Sequence, residues 1–226
     1  MPRMWLVLAP IGAMSDARAA DLAVGPGQDY LTLNDALDAA APGDHLVLTA
    51  GRFDEDVDLY GVDLEIIGAG SDPVTGTILA AGDGTSQVLV DDSTLALRGL
   101  VLDGGLSRRP LTVQNGSTVE AVDVAFVHGR ADRGGGALIE RGALTISAST
   151  FDDDHSTGQG GGLFVGVDGI ATVEDTAFAA GTAVSDGGGA YVGVGGTLTV
   201  RRSTFDDHTA SHGAGLACAS ATRCTI

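Results

Sequence analysis

Two acidic runs, Phe151-Asp152-Asp153-Asp154-His155 and Phe205-Asp206-Asp207-His208, hold the densest potential chemistry in the chain. Neighbouring carboxylates of this kind can ligate calcium through oxygen or divide general-acid and general-base work between them. A second cluster is basic: Arg108-Arg109, with Arg130 and Arg133 downstream, could gather an acidic substrate. The dipeptides Asp91-Asp92, His128-Gly129 and His212-Gly213 are two-residue echoes of catalytic motifs and occur by chance in a chain this rich in aspartate and glycine. Cys218 and Cys224 are the two cysteines, open to a disulfide or to two buried thiols.

Composition narrows the chemistry. The 226 residues carry 30 acidic against 12 basic side chains, a formal charge of −18, and no lysine, which removes every mechanism needing a lysine base or Schiff base. Phosphate backbones and anionic membranes repel such a chain, so nucleic acid is excluded as a partner and cations are favoured. Arg3, the apolar run Trp5 to Met14 and the small residues of Ala17-Arg18-Ala19 have the layout of a secretory signal peptide cut after Ala19. Losing Arg3, Arg18 and Asp16 takes away a net +1 and leaves the mature chain, residues 20–226, at −19. No later segment is apolar for long enough to predict a transmembrane helix, so the expectation is a secreted or surface-held, outer-membrane-associated protein.

The elements that must position these residues repeat. Gly134-Gly135-Gly136-Ala137-Leu138-Ile139 leads to Leu144-Thr145-Ile146 and Ser149-Thr150-Phe151. Gly160-Gly161-Gly162 and Gly187-Gly188-Gly189 open two further copies ending at Phe178 and Phe205, and a fourth copy begins at Gly213. Each unit of about 26 residues holds three short β runs and no helical period, so it cannot bury its apolar face alone. Stacked units predict an all-β parallel solenoid with one continuous core. Upstream runs at 64–67, 88–90, 95–97, 111–113 and 122–126 extend the rhythm to seven or eight coils, with glycine at corners where φ must be positive. Leu33 to Ala41 alone has helical spacing and predicts a short helix over the N-terminal end. Thr225-Ile226 align with Thr199-Val200 in mid-coil, which predicts an uncapped end there.

Stacking turns the candidates into columns. The two acidic runs fall at equivalent corners two coils apart, about 10 Å at the strand spacing of a sheet, too far to share one calcium ion. Each run alone, Asp152-Asp153-Asp154 or Asp206-Asp207, could hold a weakly bound calcium, or serve simply as a solvated turn. Leu138, Phe164 and Tyr191 form an outward column opposite the inward Ile139, Val165 and Val192, a candidate stripe for stacking sugars or a partner surface. Glu174-Asp175 should lie against Arg201-Arg202 of the next coil. Cys218 and Cys224 align with the inward Val192 and Leu198, within reach of a disulfide that would hold the last coil.

The run Val24-Gly25-Pro26-Gly27, Tyr30 to Leu37, Pro42-Gly43-Asp44, Gly51-Arg52-Phe53 and Ile66-Ile67-Gly68-Ala69-Gly70 resembles the opening of the pectin-lyase-like, right-handed parallel β-helix superfamily. The glycine-rich units resemble repeats of polymorphic outer-membrane proteins, which pair Gly-Gly-Ala-(Ile/Leu/Val) with Phe-x-x-Asn. Gly135-Gly136-Ala137-Leu138 fits the first motif. The second departs: three residues after Phe126, Phe151, Phe178 and Phe205 stand Gly129, Asp154, Gly181 and His208. The resemblance implies a right-handed β-helix with a structural, adhesive or binding role towards extracellular polysaccharide or another surface protein. The competing expectation is a polysaccharide lyase or glycoside hydrolase acting on acidic glycans, with Arg108 and Arg109 its only candidates. Neither the calcium-and-base cluster of pectate lyases nor the catalytic sets of pectinesterases and polygalacturonases stands in this sequence, since fold alone does not carry function.

Overall fold

The computed structural model describes residues 19–80, 82, 84, 86–220 and 222–226. The expected signal peptide lies outside them apart from Ala19. The described chain winds into a parallel β-solenoid of about eight coils. Its longest sheet runs in sequence order through Asp21–Val24, His45–Leu48, Asp63–Ile67, Thr94–Asp103, Thr118–Val127, Ala143–Ser147, Ile170–Glu174, Thr197–Arg201 and Arg223–Thr225. A second sheet of seven strands runs from Val57–Tyr60 to Leu216–Cys218, and a short third one joins Arg130–Ala131, His155–Ser156 and Thr182–Ala183. Every pairing is parallel and joins one coil to the next.

Alternation explains why these segments are strands. Leu144 and Ile146 face inward with Thr145 between them outward, and Ala171/Val173 and Leu198/Val200 repeat the pattern one and two coils on. Their inward side chains and those of the second sheet, including Leu163, Val165 and Val192, meet in one apolar core. The phenylalanines closing each unit continue that core as a stacked ladder. Phe126, Phe151, Phe178 and Phe205 lie with ring centroids 4.4, 4.5 and 4.6 Å apart and interplanar angles of 6° or less. The rung spacing of a sheet, about 4.8 Å, places identical rings at stacking distance with no adjustment of the backbone.

The corners correct the expectation that glycine is there chiefly for positive φ. Within each triplet only the first glycine, Gly134, Gly160 or Gly187, has it. Many other corners with positive φ are not glycine: Asp123, Ala148, Asp175 and Arg202 form one column with φ of 48–56°, and His128, Asp153, Ala180 and Asp207 another with φ of 52–54°. Aspartate tolerates this conformation through local hydrogen bonding, which accounts for part of its excess. The second and third glycines answer to space instead. A Cβ on Gly161 would collide with the Gly188 carbonyl of the next coil, and one on Gly136 with the Asp154 carboxylate and the Phe151 ring.

The helix is Leu33–Ala39, two residues shorter than its sequence pattern, because Ala41 precedes Pro42 and that position disfavours helical backbone. Thr32 caps it through Asp35 N–H at 3.1 Å, and the Glu55 carboxylate accepts from Leu33 and Asn34 N–H at 3.1 and 2.8 Å. Leu33 and Ala36 enter the core, so the helix packs against Asp21–Val24, the outermost strand of the long sheet.

Candidate functional site

The register of the second sheet builds a face from two parallel outward rows. One runs Asp58, Leu89, Thr112, Leu138, Phe164, Tyr191 across successive coils. The other, two residues further along each strand, runs Tyr60, Asp91, Gln114, Glu140. The predicted column is therefore outward and in register, but its middle member is not free. Phe164 is only 4 % exposed, because its ring is flanked by Tyr191, 5.6 Å away at 21°, and by the Arg133 guanidinium, 5.0 Å above the ring centre. Arg133 in turn reaches Glu140 at 3.3 Å. Glycines 166 and 193 let the ring lie close to the sheet, since a Cβ at either would stand 3.0 or 3.3 Å from it. Leu138 and Tyr191 remain half-exposed, so the stripe presents Tyr191 as its open platform with Phe164 as backing.

The basic cluster does not converge on this face as a set of free cations. Arg109 donates to the Arg133 and Gly134 carbonyls, at 2.8 Å each, and to the Thr112 hydroxyl at 3.1 Å. It is a strut tying one coil to the next glycine corner, and burial pulls its pKa down from the usual guanidinium value. Arg108 faces the Asp56 carboxylate at 3.7 Å. Arg109 is thus occupied structurally, Arg108 has that one ion contact and a buried Nη1 with no hydrogen-bond partner among the described residues, and Arg130 lies apart in the third sheet.

The acidic runs divide between surface and interior. Asp152 and Asp206 stack in register two coils apart with Ala179 between them, as the repeat predicts. Asp152, Asp153, Asp206 and Asp207 are exposed, but Asp154 turns inward to 1 % exposure, so its run does not converge on one ion. Among the described residues no group of three or more histidine, cysteine, aspartate or glutamate side chains is placed to hold a metal.

Asp154 has a different task, which sequence reasoning missed. Its Oδ1 accepts from Gly129 N–H of the preceding coil at 2.8 Å, while Oδ2 is buried against Gly136 without a partner among the described residues. Burial, opposed by the Gly129 hydrogen bond and reinforced by Asp152 and Asp153, pushes its pKa well above the ordinary carboxylate value. His208 repeats the arrangement two coils later: Nδ1 accepts from Gly181 N–H at 3.0 Å, Nε2 has no partner among the described residues, and burial lowers its pKa. The Phe-x-x-(Gly/Asp/Gly/His) column is therefore an alternating latch in which a side chain fills the space its glycine neighbour leaves. The departure from asparagine at those positions was the available signal.

Two further expectations concern the flanks. Arg202 binds Asp175 through two nitrogens at 2.8 Å each and reaches Glu174 as well, and Glu174 pairs with Arg201 in register. Cys218 and Cys224 form a disulfide, and they sit in register with Val192 and Leu198. An acidic cleft of about 450 Å³, lined by Asp38, Asp54, Asp56 and Asp58 beside the helix, was not read from the sequence. The Asp54-Glu55-Asp56 run was its only trace. Burial, with Asp56 nearby, raises the Asp58 pKa.

Fold and face together define a parallel β-solenoid with an aromatic row on one of its sheets. No known family, curated protein or solved structure matches the chain. Among the described residues no helix is long and apolar enough to cross a membrane.

Proposed function

We propose that this is an exported β-solenoid of the pectin-lyase-like kind, with repeats akin to those of polymorphic outer-membrane proteins. It serves as a surface or extracellular binding scaffold for glycan or a partner protein. The observation that carries the reading is the outward row Leu138–Phe164–Tyr191, an aromatic platform held rigid by strand pairing on both sides and by Arg133. Rigid aromatic surface loses little conformational entropy on binding, and the amphipathic tyrosine ring suits a wet interface. Of the two arginines that a lyase or glycosidase acting on acidic glycans would need, Arg109 is taken up as a strut and Arg108 faces Asp56, which favours binding over cleavage. Binding of the mature protein to immobilised extracellular polysaccharides and to intact cells tests this. Tyr191→Ser should abolish retention while leaving the melting temperature within a few degrees; retention equal to that of the unaltered protein refutes the stripe. Release of unsaturated or reducing ends from pectin or alginate, lost on Arg108→Ala, would establish the enzymatic reading instead.

A further inference from the structure

We infer that the ligand of this face is a cationic glycan, a polymer of protonated amino sugars, lying along the solenoid axis. The inference rests on the binding role proposed for the stripe and specifies its chemistry. From Asp58, through Leu89, Thr112 and Leu138, to the aromatic Phe164 and Tyr191, the first row crosses six coils, about 24 Å at a strand spacing of about 4.8 Å. That is room for several sugars in succession. The parallel row lies about 7 Å away along the strands and supplies Tyr60, Asp91, Gln114 and Glu140.

Charge selects the ligand class. Four arginines border the face: Arg109 is held by backbone carbonyls and Thr112, Arg133 by Glu140 and the Phe164 ring, Arg108 faces Asp56, and Arg141 donates to the neutral Asn115 amide oxygen at 3.0 Å. Among the described residues on this border only Arg141 lacks a carboxylate partner, so a polyuronate would find a single guanidinium open to it. The acids are less fully matched. Asp91 accepts from the neutral amides of Gln114 and Asn115, at 2.9 and 3.0 Å, with no cation bonded to it among the described residues, and Asp58 stands exposed at the head of the first row. The field of a chain at −18 adds long-range attraction for a cation, weakened by salt. Aromatic faces receive cationic groups favourably as well.

Calorimetric titration of the mature protein with a glucosamine hexamer at pH 6, its neutral N-acetylated counterpart and a galacturonate hexamer tests the assignment. The glucosamine hexamer should bind at least tenfold more tightly than either, with an affinity that falls as salt is raised from 50 to 300 mM. Asp58→Asn, at an exposed position, should reduce that affinity by about threefold or more without changing the melting profile, and Tyr191→Ser should remove it. Equal or tighter binding of the neutral or the galacturonate hexamer overturns the charge assignment while leaving the stripe as a binding face. Binding of none of the three, together with no retention on any polysaccharide, overturns the underlying reading too.

Discussion

Replacing Asp154 with asparagine should stabilise the protein at neutral pH. The carboxyl is 1 % exposed, takes one hydrogen bond from Gly129 N–H, and leaves Oδ2 facing Gly136 and the Phe151 ring with no partner among the described residues. The charged groups around it are Asp152 and Asp153 on its own turn, with His155 beyond them and His128 on the preceding coil. His128 is paired with Asp103 at 3.1 Å, and the charges that act on the Asp154 carboxyl are those of Asp152 and Asp153, which both raise its pKa. The folded state therefore favours the protonated acid, and its pKa is raised from 3.8. A raised folded pKa gives a stability contribution that is complete below the unfolded pKa and is lost as pH rises through the folded one. Each unit of elevation costs about 1.4 kcal/mol at pH above both values, and the interval between the unfolded pKa and pH 7 caps the loss at about 4 kcal/mol. Asparagine keeps the acceptor for Gly129 and cannot ionise. Urea unfolding at intervals from pH 4 to pH 8 should give curves that coincide at the acid end and diverge upward for Asp154→Asn, by about 1 to 4 kcal/mol at pH 7. Parallel pH dependences for the two proteins, or a variant less stable at pH 7, would refute the latch. His208 gives the opposite slope in the same series: its lowered pKa means stability is lost as pH falls below 6.5 and through the folded value.

Phe178 stacks on both Phe151 and Phe205 inside the core, so Phe178→Ala should cost about 3–5 kcal/mol by chemical denaturation, and Phe178→Leu clearly less. A loss under about 1 kcal/mol for the alanine variant would mean the ladder is not a packed element. Gly161→Ala should unfold the solenoid or lower its melting temperature steeply, because the added methyl meets the Gly188 carbonyl, while Gly116→Ala, in open space with φ of 87°, should cost about 1 kcal/mol. Equal effects at the two sites would show that backbone conformation, not crowding, governs the corners. Cys218→Ser should lower stability by about 2 kcal/mol on the chain-entropy account of a short loop and raise amide exchange in Leu216–Cys218 and Arg223–Thr225 before the rest of the sheet. Uniform exchange along the solenoid would contradict a local role.

The architecture was legible in the sequence because a solenoid is periodic. Once Gly134, Gly160 and Gly187 are aligned, the register of Phe151 with Phe178 and of Val192 with Cys218 follows from counting, and the folded chain holds these pairs in that register. Strand alternation likewise determined which residues of the repeat face inward. What counting could not supply is how far side chains reach between coils. Phe164 points outward as alternation requires, yet Arg133, whose place in sequence gives no hint of it, covers the ring. Arg109, a catalytic candidate by sequence, lays its guanidinium on two backbone carbonyls. Asp154 belongs to a run of three aspartates, and only the φ of 53° at Asp153 turns it away from its neighbours and into the interior. The sequence by itself determined the repeat, the register and the facing of each strand, because those depend on spacing along the chain. The tertiary structure alone decided which polar groups are spent on holding coils together and which remain open to a ligand, because that depends on distances between side chains of different coils.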